Sequence, residues 1–121
     1  MNLIRGISGI RGIINDTLKP QTVSNYIQAF CTMQNDGPIL IARDSRTHGS
    51  MLLDVGCDTI QKCGRQAQNY GIMPTPSAQF IIQKNSYSGG IVITASHNPA
   101  EWNGLKFIDH DGCFLSEKKN N

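Results

Sequence analysis

The chain has 121 residues, 39% of them hydrophobic and 17% charged, which predicts one globular domain (residues 1–121) with a substantial core. A formal charge of +2 is too small to indicate a nucleic-acid-binding protein. No apolar stretch is long enough to span a membrane, and no charged segment precedes an apolar one after Met1. The composition therefore excludes a membrane protein and makes the cytoplasm the expected compartment.

The four cysteines form no C-x-x-C pair and have no histidines at zinc-binding spacing. Cys31, Cys57 and Cys63 fall within predicted helices, where a buried, reduced thiol is the ordinary role. The sequence therefore predicts neither a zinc site nor a disulfide among these residues and Cys113.

The first half of the chain alternates strands and helices. Residues 4–14 are rich in glycine and isoleucine and predict short strands broken by glycine turns, because glycine is costly inside a helix. Residues 20–34 predict a helix, since apolar residues recur at helical spacing and Pro20 suits a first turn. The wholly apolar segment 38–42 then predicts a strand covered on both faces.

The middle of the chain predicts two more helices with a strand between them. Ser50 is expected to be the N-cap of the second helix, which Gly64 closes. Residues 66–70 predict a strand, and Thr75 is expected to cap a short helix over residues 75–84. The side chains of that helix expected to face inward are Phe80 and Ile81.

The last part of the chain predicts two strands and a turn. Residues 91–93 are β-branched and apolar, and residues 105–108 read as a second strand that residues 109–112 turn back towards a partner at 113–115. Residues 116–119 resemble the start of a helix. This alternation predicts the α/β class, as a three-layer α/β/α sandwich with a mixed, mostly parallel sheet.

The most informative segment follows the strand at 91–93. Residues 94–99, Thr-Ala-Ser-His-Asn-Pro, are small, polar and closed by proline, and ligands of open α/β sheets collect beyond the carboxyl ends of strands. Ser96 is therefore expected to be displayed, with His97 and Asn98 beside it. A capping or turn serine is the ordinary alternative. A serine hydrolase is poorly supported, because the G-x-S-x-G motif is absent.

Phosphoryl chemistry suits this serine better. A phosphoserine carries close to two negative charges and needs cations and backbone donors around it. The candidates in this chain are Arg11, Arg43, Arg46, His97 and Lys106. The G-x-x-x-x-G-K-[ST] motif is absent, which excludes a P-loop nucleotide enzyme.

Four segments together resemble one family. Residues 94–99 are similar to the active-serine loop of the α-D-phosphohexomutase superfamily, which includes phosphoglucomutases, phosphomannomutases and phosphoglucosamine mutases. Residues 9–12 (Gly-Ile-Arg-Gly), 42–46 (Ala-Arg-Asp-Ser-Arg) and 103–106 (Asn-Gly-Leu-Lys) resemble further motifs of that family, in the same order. The chain departs from the family at Ser8, where many members have aspartate, and at Ala42, where the usual residue is glycine.

The resemblance implies roles for individual residues. Ser96 would be carried as a phosphoserine and would exchange its phosphoryl group with a hexose phosphate through a bisphosphate intermediate. Lys106 would act in proton transfer or charge stabilisation, and Arg11 and His97 would lie close to the phosphoserine. The residues expected to give phosphate or electrostatic support are Arg43, Arg46 and Asn98.

The resemblance also implies what surrounds this chain. It would be the N-terminal domain of a larger enzyme, closest to bacterial phosphoglucosamine mutases, with phosphoglucomutase or phosphomannomutase as the alternatives. Later domains would select the sugar, which is glucosamine, glucose or mannose, and bind its phosphate. Mg²⁺ would contact the phosphate on Ser96, with its other ligands in a later domain, and a hexose bisphosphate would be the activator. Expected partners are the hexose phosphate, the remaining domains of the enzyme and, as a possibility, a second copy. A non-catalytic module that binds a sugar phosphate or a protein is the alternative.

Overall fold

The computed structural model describes residues 4–6, 9–13, 19–46, 49–94 and 102–115. Within these residues six strands and three helices alternate along the chain. In chain order they are β1 Ile4–Gly6, β2 Gly9–Ile13, α1 Pro20–Met33, β3 Ile39–Arg43, α2 Gly49–Lys62, β4 Ala67–Ile72, α3 Thr75–Lys84, β5 Gly89–Ile93 and β6 Trp102–Asp109.

The strands form one sheet in the order β1-β2-β6-β5-β3-β4. β3 pairs in parallel with both β4 and β5, whereas β6 is antiparallel to β5 and to β2, and β1 is antiparallel to β2. It follows that β2, β3, β4 and β5 point the same way and that β1 and β6 point the opposite way. The expected mixed sheet with most strands parallel in direction is confirmed.

Helices cover both faces of the sheet. On one face, α1 and α2 pack against alternate residues of β3 and β5 such as Ile41 and Ile93, in a core that Phe30 and Phe107 complete by stacking at 4.8 Å between ring centroids. On the other face, α3 buries Ile82 against Leu40, Val92 and Ile108. Because β3 and β5 are covered on both sides, β5 and the first four residues of β3 are apolar. The three-layer sandwich is confirmed.

Different residues begin and end α1 and α2. Pro20 occupies the first turn of α1, as expected, and the chain turns extended at Gln34. α2 ends at Lys62, and Gly64 has a φ of +79°, a left-handed conformation that closes the helix with the Arg65 N–H donating to the Ile60 carbonyl at 3.2 Å. The N-cap expected at Ser50 is wrong, because α2 already includes Gly49.

Several expected burial states also need correction. Phe80 is 58% exposed, and the residues that α3 buries are Ala78 and Ile82, because its packing face is set by contact with the sheet. Cys63 lies after the end of α2 and is exposed, so it is not a buried helical thiol. Pro74, and not Thr75, is the N-cap of α3.

The segment after β6 forms the expected turn, with the Gly112 N–H donating to the Asp109 carbonyl at 3.0 Å and a φ of +85° at Gly112. The expected return strand is reduced to one bridge between Phe114 and Ile108. The helix predicted at 116–119 lies outside the described residues. Within the described ranges, no helix is long and apolar enough to cross a membrane.

Candidate active site

Three strands end together at one edge of the sheet, here called the carboxyl edge. Arg43, the last residue of β3, pairs with Ile93, the last residue of β5, and with Ile72, the last residue of β4. The Asp44 N–H donates to the Ile93 carbonyl and the Met73 N–H to the Arg43 carbonyl, both at 3.0 Å. The loops that follow β3, β4 and β5 therefore leave the sheet side by side.

The loop after β3 is held by its own two arginines. The Arg43 Nη1 donates to the Asp44 carbonyl at 3.1 Å and to the Arg46 carbonyl at 3.4 Å. The Asp44 carboxylate accepts the Arg46 N–H at 3.0 Å and pairs with the Arg46 Nε at 3.1 Å. The ion pair formed by Asp44 is therefore with Arg46.

Two helices begin at the same edge. α2 begins at Gly49, where an added Cβ would lie 3.1 Å from the Arg43 Cδ and 3.3 Å from its Nη1. α3 begins at Thr75, two residues after Met73, and its N-cap, Pro74, provides no side-chain hydrogen bond. The N-termini of helices favour negative charge, so this edge offers an electropositive setting in which Arg43 and Arg46 take part.

The loop that contains Ser96 starts from this edge. Thr94, the last described residue before it, is 6% exposed, and its N–H donates to the Gly104 carbonyl on β6 at 3.0 Å. Ser96, His97 and Asn98 lie outside the described residues, so their expected roles stay predictions.

The strand register places Arg11 next to this starting point. Arg11 on β2 pairs with Gly104, the same residue that accepts the Thr94 N–H. Because neighbouring strands lie about 4.8 Å apart, the backbones of Arg11 and Thr94 are about 10 Å from each other. A side chain as long as arginine spans much of such a distance. The side chain of Arg11 is outside the described part of the chain.

Lys106 lies on β6 two residues beyond Gly104, opposite Val92 of β5. It is half-buried, and its Nζ lies 5.4 Å from the centroid of the Phe114 ring, on the face that α3 covers. The register thus brings Lys106 within two residues of the carboxyl edge. Its described contact is a cation–π interaction with Phe114.

Asn103 is a residue to which the sequence analysis gave no role, although it begins the motif at 103–106. It is fully buried, and its Oδ1 accepts the Gly104 N–H at 2.9 Å. Its Nδ2 has no hydrogen-bond partner within the described ranges. An unpaired buried donor costs about 1–3 kcal/mol. This amide lies one residue before Gly104, whose carbonyl accepts the Thr94 N–H. The feature of the sequence that could have indicated Asn103 is its position, because it is an amide between the strands predicted at 91–93 and 105–108.

The described residues do not make a Mg²⁺ site. No cluster of three or more histidine, cysteine, aspartate or glutamate side chains among them could hold a metal ion. Asp44, the carboxylate described at the carboxyl edge, is already paired with Arg46. The expected metal contact through Ser96 involves residues outside this description and remains untested.

A family comparison matches nearly the whole chain. Residues 2–121 fit the family described as phosphoglucomutase/phosphomannomutase, alpha/beta/alpha domain I. The chain belongs to this family. It is therefore a domain I of the phosphohexomutase superfamily, and the resemblance drawn from the four motifs is confirmed.

Individual relatives carry related names. The chain is 38% identical to a phosphoglucosamine/phosphogalactosamine mutase of Sulfurisphaera tokodaii, covering 100% of this chain and 27% of that protein. It is 42% identical to a phosphoglucosamine mutase of Prochlorococcus marinus, covering 93% of this chain and 25% of that protein. This phosphohexomutase chain thus spans about a quarter of the length of the curated relatives it matches.

Solved structures share the fold. A phosphoglucomutase/phosphomannomutase family protein from Burkholderia thailandensis superposes with a TM-score of 0.80 at 27% identity, over 89% of this chain and 26% of that one. A Thermus thermophilus protein named as a phosphomannomutase gives a TM-score of 0.82 at 22% identity, over 97% of this chain and 29% of that one, and supports the fold alone.

Proposed function

We propose that this chain is the phosphoserine domain of a hexose-phosphate mutase, with phosphoglucosamine as its first candidate substrate. The observation that carries the proposal is the carboxyl edge. There the loop leading to Ser96 starts next to Arg43 and Arg46, and the register of β2 and β6 brings Arg11 and Lys106 towards the same place. The curated relatives named as phosphoglucosamine mutases support the choice of sugar.

The proposed reaction is a two-step phosphoryl exchange. The bond between phosphorus and the Ser96 oxygen breaks while a hydroxyl of the hexose monophosphate forms a new bond to phosphorus, giving a hexose bisphosphate. The hydroxyl proton ends on the Ser96 oxygen, carried by Lys106 or by another base. In the return step the other phosphate of the bisphosphate is transferred to Ser96. The chain's own contribution is positive charge and positioning around the transferring group.

Support for this charge comes from how the arginines are held. The carbonyls of the 44–46 loop fix the Arg43 guanidinium, and Asp44 fixes that of Arg46, so little side-chain freedom is left to lose when an anion binds.

Mg²⁺ and an activating hexose bisphosphate belong to the proposal as requirements of the complete enzyme. Since the described residues do not hold the metal, no step is assigned to it. The proposal also expects no mutase turnover from this chain alone.

A phosphopeptide experiment tests the proposal. The protein that contains this chain is purified from its own host and mapped by mass spectrometry before and after incubation with glucosamine 6-phosphate. We expect phosphate on Ser96 that is lost to the sugar, and Ser96→Ala should abolish the exchange. Ser86→Ala, at an exposed position in the turn after α3, is the matched control and should exchange as the unchanged protein does.

Two other outcomes would contradict the proposal. A Ser96 that stays unmodified even after a hexose bisphosphate is added would favour the non-catalytic binding module. Labelling of native Ser96 by a fluorophosphonate would favour a serine hydrolase instead.

A further inference from the structure

The C-terminal ends of α1 and α2 bring two cysteines together at the edge of the sheet opposite the carboxyl edge. Cys31 lies in the last turn of α1, and Cys63 directly follows α2. The two helices pack against each other, and both end where β3 and β4 begin. Both cysteines line a cavity of about 580 Å³ together with Gly64 and Arg65.

The two thiols line the same cavity and differ in accessibility. Cys63 lies close enough to raise the pKa of the Cys31 thiol, and Cys31 is 3% exposed whereas Cys63 is exposed. Burial, followed by the neighbouring Cys63, raises the pKa of Cys31 to about 11. Cys31 therefore remains a protonated thiol at neutral pH, and an oxidant arriving from solvent reaches Cys63 first.

The backbone around Cys63 can adjust. Gly64 has a φ of +79°, and an added Cβ there would meet nothing within 4 Å. The Cys63 N–H donates to the Thr59 and Ile60 carbonyls at 3.1 Å, so the open turn begins after Cys63. A disulfide needs its two Cα atoms roughly 4.4–6.8 Å apart, and the open turn at Gly64 leaves room for the adjustment that closing the bond requires.

We propose that Cys31 and Cys63 form a redox modification site, which closes a reversible disulfide between the ends of α1 and α2 when the protein meets a hydroperoxide. The Cys63 thiolate attacks one peroxide oxygen, the O–O bond breaks, and water or an alcohol leaves. The resulting sulfenic acid is attacked by the Cys31 sulfur, so that the S–S bond forms, the S–O bond breaks and a second product, water, takes up the hydroxyl and the Cys31 proton. Two electrons pass from the sulfurs to the peroxide, and a dithiol reductant reverses the change.

This site is separate from the proposed phosphoryl chemistry. Cys31 and Cys63 lie at the amino ends of β3 and β4, whereas Arg43 and Thr94 lie beyond the carboxyl ends of β3 and β5. The bridge would join two helices of the same core across residues 31–63, and a covalent link of this kind restricts the unfolded chain. Its presence or absence can therefore be tested independently of Ser96.

Tryptic mapping tests the proposal, because trypsin places the four cysteines on four different peptides: 12–43, 47–62, 63–65 and 107–118. The native protein is treated with a slight excess of hydrogen peroxide, and its remaining thiols are blocked with iodoacetamide under denaturing conditions. We expect peptides 12–43 and 63–65 to be joined with a loss of about 2 Da for two hydrogens, and to separate after dithiothreitol.

Variants make the test specific. In Cys31→Ser the oxidised Cys63 should be trapped by dimedone as a sulfenic acid, because the second thiol is absent. Cys57→Ser is the matched control, since Cys57 is half-buried on α2, and it should form the same linked peptides as the unchanged protein. Cys63 oxidised to a sulfinic acid or linked to a second molecule, with Cys31 still alkylated, would overturn the proposal.

Discussion

Arg43 contributes to the carboxyl edge by binding carbonyl oxygens. Its guanidinium bonds to the carbonyls of Asp44 and Arg46, and its stem packs where α2 begins at Gly49. Arginine presents several donors in a fixed plane, so one side chain can hold a loop and still face an anion. The neighbouring Asp44–Arg46 pair is only partly exposed, with side-chain exposures of 29% and 15%.

The first prediction concerns this residue. Arg43→Met should lower the free energy of unfolding by about 1–2 kcal/mol, because it keeps much of the stem and removes the hydrogen bonds to two carbonyls. Urea unfolding measures the change. Lys62→Met, which removes an exposed ion pair with Asp58, is the control and should cost less than about 0.5 kcal/mol. Equal costs for the two variants would mean that the loop does not depend on Arg43.

Single residues were predictable where a motif marked them and not where tertiary contact created their role. Arg43, Arg46 and Lys106 stand out in short motifs, and the structure brings their strands to one edge. Within the described ranges the Asn103 Nδ2 is buried without a hydrogen-bond partner, and spacing alone could not reveal that burial. The placement of Cys31 and Cys63 on one cavity likewise depends on how α1 packs on α2, and the sequence separation of the two residues gives no sign of it.

At the scale of elements, the predicted helices and strands in the described ranges exist except the return strand at 113–115, which is one bridge, because hydrophobic periodicity and glycine or proline punctuation are local signals. The errors lie in the caps and faces. Phe80 is expected to face inward but is exposed, whereas Ile81 is partly buried against the core and Ala78 and Ile82 are the residues that α3 buries. Close packing decides between such nearly equivalent faces, and Gly90 of β5 is one reason for the choice, because Ile82 fills the space above it.

The second prediction tests this packing between α3 and the sheet. A Cβ at Gly90 would overlap the Ile82 Cδ1 and lie 3.3 Å from the Leu40 carbonyl, so Gly90→Ala should destabilise the fold by about 1–3 kcal/mol. Ile82→Val removes the overlapping methyl group. The double variant should therefore be more stable than the sum of the two single changes implies, as measured by thermal unfolding. Strict additivity would contradict the packing described for α3.

At the scale of the whole molecule, the sheet order was not available from the sequence. Alternation of strands and helices predicts the class, but nothing local places β6 between β2 and β5 or makes it antiparallel to both. Because β6 lies between β2 and β5, Gly104 pairs with Arg11 on one side and accepts the Thr94 N–H on the other. Arg11 is thereby placed near the carboxyl edge. The candidate site therefore depends on long-range pairing, which is the part of a fold that sequence patterns describe least.

The third prediction concerns alkaline stability. Burial raises the pKa of Cys31 from 9.0 to about 11, and burial together with the hydrogen bond to Tyr70 raises the pKa of Tyr87 from 10.0 to about 12. Both groups lose their proton more readily in the unfolded chain, so their stabilising effect is complete below pH 9 and is lost as the pH rises towards 12. Urea unfolding between pH 8 and about 11 should show a falling free energy.

Tyr70→Phe separates the two contributions. Removing the Tyr70 hydroxyl, which lies 2.8 Å from the Tyr87 hydroxyl, should flatten the decline above about pH 10 and leave the part between about pH 9 and 10 unchanged. A free energy of unfolding that stays constant or rises across this range would be incompatible with the raised pKa values of Cys31 and Tyr87.

The hydrogen bonds of Arg65 affect how a substitution scan of this chain would be interpreted. Its guanidinium donates to the carbonyls of Cys31, Gln34, Asn35 and Gly37 and to the Ser88 hydroxyl, at 2.5–3.1 Å. Lysine cannot reproduce this planar set of donors, so even that conservative change would be scored as damaging. A scan would rank Arg65 beside Arg43, although the two lie at opposite edges of the sheet. Loss of function on substitution of Arg65 would reflect the hydrogen bonds that hold the end of α1 to the start of β3. A scan that measured activity alone would wrongly assign Arg65 a catalytic role.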